Sequence, residues 1–166
     1  MTNQDHELTN AARCVRRHVR FGWWSLLVFV GIGILLESLL AYKVSWYLGT
    51  LGEDYENIRR LMWRLAHAHG TLLSLVHLVF AMTVHLVPGT VDQKGSHFAS
   101  PCLMGASLLL PGGFFLGGIF TFQEHADPGI GVFLVPVGAL LMLVSVLLTA
   151  KGLTQATRQA TTATSD

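Results

Sequence analysis

The stretch WRLAHAHGTLLSLVHLVFAMTVHLV, Trp63 to Val87, is apolar enough to cross a bilayer, yet it holds four histidines. A helix needs about 20 apolar residues to span about 30 Å of hydrocarbon. Ionisable side chains inside such a segment are costly, so they point to an internal partner or to a function. His67, His69, His77 and His85 are therefore the residues on which the reading of the chain turns.

Working outward from this run, which covers about 65–87 and stops at Pro88-Gly89, three more apolar runs have spanning length. They cover about 21–42, opened by Trp23 and Trp24, then about 101–122 and about 129–150. The chain is 51% hydrophobic and 13% charged. Soluble domains carry about 25% charged residues, so this is a membrane composition. At 166 residues there is room for one domain. Short connections make sequential neighbours antiparallel, which predicts an all-α integral membrane four-helix bundle, up-down-up-down. The expected organisation is a basic tail over 1–20, a membrane domain over 21–151 and a polar, disordered tail over 152–166. About twenty polar residues precede the first run, so it is expected to be retained rather than cleaved as a signal peptide.

Lys and Arg counts set the expected orientation. One side has Arg13, Arg16, Arg17, Arg20, Lys94, Lys151 and Arg158; the other has Lys43, Arg59, Arg60 and Arg64. Seven against four places both termini in the cytoplasm of a bacterial inner membrane. Cys14 and Cys102 then stay reduced. They are spaced neither as CxxC nor as CxxCH, which argues against thiolate zinc and covalent haem attachment. A net charge of +1 gives no case for nucleic acid, and the expected partner is the lipid bilayer. No P-loop, nucleophile elbow or HExxH is present, which disfavours hydrolytic and nucleotide-driven chemistry and leans the reading towards a non-enzyme. Gly113 and Gly117 form a GxxxG, and Gly131, Gly138, Ser145 and Thr149 recur at roughly helical spacing. Such small-residue faces hold helices together, and the Gly113–Gly117 face is a candidate surface for a homo-oligomer or a larger membrane complex.

At about 100° per residue, Arg60, Arg64, Thr71, Ser74 and His85 all fall within about 60° of His67 and form one polar stripe. His69 lies about 160° from the centre of that stripe, so HAH aims its two imidazoles at different neighbours. A regular helix cannot bring both onto one metal ion. If the second helix enters the membrane near Arg59, His67 and Glu37 both sit about 12 Å from the same face. The loop residues Glu124 and His125 return to that side. Three readings stay open. Glu37, Arg64 and His67 could pair structurally and lock the first hairpin. Glu37, His67, His69, Glu124 and His125 could supply ligands for a transition metal, or His67, His69 and His77 could serve haem b. The cluster could also be part of a proton or solute path. His77 alone reads as a core histidine bonded to a hydroxyl or carbonyl, and His18 as a tail residue.

Two resemblances bear on this. LAHAHG opening a helix resembles the paired-histidine helix of haem–copper oxidases, in which an HxH pair ligates two haems on opposite flanks. That resemblance implies haem ligation by His67 and His69, but no second transmembrane helix here carries the histidine such a site would need. LLESLLAYKVSWYL, RRLMWRLAHAHG, GGFFLGG and DPGIGVFLVPVGALL together resemble a family of small four-helix bacterial membrane proteins with no assigned activity. This second likeness implies fold and location only.

Overall fold

In a computed structural model the described residues, 3–48, 54–91, 96–119 and 128–163, are almost entirely helical. The elements are α1 (Asn3–Ala41), α2 (Ser45–Leu48), α3 (Asp54–Leu86), α4 (Ala99–Ile119) and α5 (Leu134–Ala163). Short 3-10 turns at Pro88–Thr90, Ser96–Phe98 and Ile130–Phe133 join or precede the later helices. All of the long helices, α1, α3, α4 and α5, contain a stretch long and apolar enough to cross a membrane.

The helix ends follow from local chemistry. α1 stops where Lys43 turns left-handed at φ 50°. Lys43 N–H then bonds the Leu40 carbonyl at 3.1 Å and Val44 N–H reaches back to Leu39 at 3.1 Å. This pair of bonds is the Schellman closure, made here by a lysine where glycine is the usual choice. α3 stops before Pro88, which cannot donate to a helix and holds Val87 extended at φ −129°, ψ 79°. α4 tolerates an internal proline, Pro111, at the cost of one donor to the preceding turn.

The helices pack in chain order, α1 on α3, α3 on α4 and α4 on α5. α3 and α4 are the inner members, with 39% and 44% of their most apolar windows buried, against 6% for α1 and 17% for α5. Large apolar side chains such as Leu27, Ile34, Leu72, Val79, Leu140 and Leu143 face outward. An exterior this apolar suits a hydrocarbon environment. One internal cluster gathers Ala11, Leu73, Phe80, Val84, Ala99, Leu103 and Leu110. A second gathers Leu36, Tyr47, Met62 and Trp63, where Trp63 stacks on Phe115 and donates Nε1–H to the Phe115 carbonyl at 3.2 Å.

Three expectations need correction. The basic segment 1–20 is no separate tail, because α1 begins at Asn3 and its Ala11, Cys14 and Val15 pack onto the first cluster. The polar segment after 151 continues α5 as far as Ala163. There Thr154, Thr157, Thr161 and Thr162 bond the carbonyls four residues back, which satisfies their hydroxyls inside the helix. The GxxxG face is consumed within the chain. Gly117 accepts from Gly129 N–H at 2.9 Å, and a Cβ on Gly113 would lie 2.9 Å from the Gly131 carbonyl. Gly113 and Gly117 are both buried, so they offer no outer surface for oligomerisation.

The closest backbone approach joins α4 and α5 at Gly138, where a Cβ would meet the Leu110 nitrogen at 2.7 Å. Backbone cannot yield as a side-chain tip can. Gly138→Ala should therefore lower thermal stability in detergent by about 1–3 kcal/mol, as overpacking does. Gly31→Ala, with nothing within 4 Å, should cause no loss.

Candidate functional site

His18 of α1 and His77 of α3 meet with Nδ1 to Nδ1 at 2.6 Å, both completely buried. Phe80 tilts onto the His18 ring and Phe21 onto the His77 ring, at 4.6 and 4.5 Å between centroids. α4 closes the cluster from the third side. Ser100 Oγ lies 2.7 Å from His18 Nε2, and Ser107 Oγ lies 2.8 Å from His77 Nε2. Arg17 donates to Ser100 Oγ, and Ser107 donates to the Leu103 carbonyl at 2.9 Å.

The direction of every bond follows from its two ends. Guanidinium only donates, a carbonyl only accepts, and each hydroxyl or neutral imidazole has one proton to give. Ser107 gives its proton to Leu103, so it accepts from His77 Nε2–H. The Nδ1 of His77 is then an acceptor, and His18 Nδ1–H donates to it. His18 Nε2 accepts from the Ser100 hydroxyl, whose oxygen accepts from Arg17. The chain is thus Arg17 → Ser100 → His18 → His77 → Ser107 → Leu103, fully satisfied with both rings neutral. No carboxylate belongs to it, and a buried charge without a partner is expensive.

The sequence of α1 explains why His18 faces inward. Measured from His18 at about 100° per residue, Gly22, Ser25, Phe29, Gly33 and Leu36 all fall within about 60°. This seam meets α3 in reverse order. Ser25 bonds Ser74, whose own proton goes to the Gly70 carbonyl at 2.7 Å, and His67 Nδ1 donates to the Phe29 carbonyl at 2.7 Å. Glycine is required where these contacts cross. A Cβ on Gly33 would meet the His67 ring at 2.5 Å, and Gly70 lies as tightly under the Phe29 ring. Thr71 Oγ1, on the same side of α3, is buried with no partner among the described residues.

Glu37, Arg64 and His67 do not form the expected cluster. Glu37 lies about 100° from the inward-facing Leu36, and both it and Arg64 are exposed with no ion pair between them. Each charge does act on Tyr47, whose phenol is raised above the usual tyrosine range. Burial is the main cause; Arg60 and Arg64 oppose the shift and Glu37 adds to it. His69 Nδ1 donates to the Leu65 carbonyl at 2.8 Å, and its ring packs on Phe114 of α4 at 4.9 Å. His67 faces α1 while His69 faces α4, so HAH serves two different neighbours.

Glu124 and His125 lie outside the described residues. Among the described residues no three His, Cys, Asp or Glu side chains converge as a metal ion would need, and His67, His69 and His77 each bond a different neighbour. The sequence reading missed His18. Its signal was present in the small-residue seam Gly22, Ser25 and Gly33, which shares its phase, but the four flanking arginines marked it as tail. No protein-family model, curated protein or solved structure matches the chain.

His18→Ala and His77→Ala should each lower stability by about 2–4 kcal/mol, because each leaves buried polar partners unmade as well as a cavity. The double variant should cost about 1–2 kcal/mol less than their sum, read as a thermodynamic cycle in detergent. Glu37→Gln and Arg64→Gln should each stay within about 0.5 kcal/mol of the parent, as exposed substitutions do.

Proposed function

We propose that the chain is a small, non-enzymatic, multi-pass component of a bacterial inner membrane, in which the His18–His77 chain clasps α1, α3 and α4 together. The observation that carries this reading is where the hydrogen-bond chain ends. It stops at the backbone carbonyl of Leu103, which can accept but cannot pass a proton on. From Ser100 to Ser107 it advances only about 10 Å along α4, a third of the hydrocarbon thickness.

The bundle runs up-down-up-down with both termini cytoplasmic. In support, the contacts 18 with 77, 25 with 74 and 29 with 67 run in opposite order along α1 and α3. The seven-to-four bias of Lys and Arg supports the orientation. A helical rather than β-barrel span and the likeness of LLESLLAYKVSWYL and its companions to bacterial membrane proteins support the inner membrane.

One observation favours a second reading, a proton relay: the two imidazoles stand back to back at 2.6 Å. The two readings separate on one substitution. Asparagine can donate and accept but does not titrate, so under the clasp His77→Asn should retain more stability than His77→Ala. Proteoliposomes of the parent protein should then leak protons no faster than empty liposomes. Proton flux that His77→Asn abolishes would establish the relay and sink the clasp. Reporter fusions at the two ends should both be active on the cytoplasmic side, and a periplasmic signal from either end overturns the orientation.

A further inference from the structure

Four arginines, Arg13, Arg16, Arg17 and Arg20, line an open groove of about 530 Å³ along the N-terminal half of α1. All four are exposed. The groove continues onto an apolar wall made by Phe21 and Trp24, with Met104 contributed by α4. No carboxylate is among its described lining residues.

We propose that this groove binds the phosphate of an anionic phospholipid headgroup, with the lipid's acyl chain lying along Trp24. The proposal rests on the membrane reading given above. Its first support is register. Counted from Arg13 at about 100° per residue, Arg17, Arg20 and Trp24 fall within about 40° of one line, and Arg16 lies about 60° to one side. The arginines therefore form a ladder about 10 Å tall on one helix face, directly above an aromatic step. This matches the order met on entering a bilayer, where a headgroup layer several ångströms deep is followed by hydrocarbon.

The second support is chemical fit. Guanidinium forks match phosphate oxygens in pairs, whereas a lysine offers only a point charge. Arg17 is already oriented, since it donates to Ser100 from within the hydrogen-bond chain. Trp24 is 69% exposed beside this cationic ladder, which suits a ring that sits at the headgroup boundary. A free phosphate ion would use the arginines but leave the apolar wall without a purpose. A lipid uses both parts.

The test takes the full chain, delipidated in detergent, and counts bound lipid by native mass spectrometry. Phosphatidylglycerol should bind in clear preference to phosphatidylcholine. Replacing Arg13, Arg16 and Arg20 by Gln, with Arg17 kept for its bond to Ser100, should weaken phosphatidylglycerol binding on the order of 100-fold, since each surface arginine contributes roughly fivefold. The single variants Arg13→Gln and Arg20→Gln should each lose about fivefold, and they keep the test open if the triple variant unfolds. The triple Arg→Lys variant should recover only part of the preference, because charge returns without the paired donors. Equal binding of the two lipids, or an undiminished preference in the Gln variants, overturns the site. Displacement of phosphatidylglycerol by equimolar inorganic phosphate also overturns it, because the site then recognises a free anion. Recovery of the chain without detergent would instead undo the membrane reading, and is scored before any lipid is added.

Discussion

Two imidazole nitrogens 2.6 Å apart can hold one proton between them, and this constraint organises the meeting of α1, α3 and α4. It forces one ring to give and the other to receive. That choice propagates outward until it meets a group with no choice, the Arg17 guanidinium at one end and the Leu103 carbonyl at the other. Three helices are tied by bonds that all point the same way. Between helices in lipid there is no hydrophobic force to select one packing over another, so polar bonds and close backbone contact must do so. A reversed or slipped helix would leave several of these groups unmade in an apolar interior, which costs far more than a made bond contributes.

Close contact is arranged with the same economy. On α1 the positions facing α3 mix small residues with residues that need room, and α3 answers two of them with the complementary size. Phe29 enters over Gly70, and His67 enters over Gly33. At the other side of the molecule Gly131 and Gly138 let the start of α5 lie directly against α4. Small residues thus serve the interior of one chain here, although the same pattern could equally mark an interface between chains.

The spanning helices were legible because hydropathy needs only composition over about twenty residues. The divergence of His67 and His69 was legible because helical angle is fixed by sequence separation alone. The inward face of α1 was not read, and two errors follow from that one omission. Without the phase of Gly22, Ser25 and Gly33, Glu37 looked available to the interior and His18 looked like part of a solvated tail. Burial of a histidine between four arginines contradicts local polarity, and only the seam shows that its side of the helix is the packed one. The helical continuation of α5 was hidden for a related reason. Threonine-rich composition argues for a loop, but each hydroxyl can turn back onto its own helix.

The row arrangement has a consequence for biogenesis. Every side chain in the histidine chain comes from α1, α3 or α4, and α5 supplies none. A ribosome feeding this protein into a membrane has therefore made the whole histidine chain by the time Ile119 is added. The nascent chain can pair its imidazoles before the last helix is translated, and that helix then adds its own bond, from Ser145 to the Ala99 carbonyl at 2.8 Å.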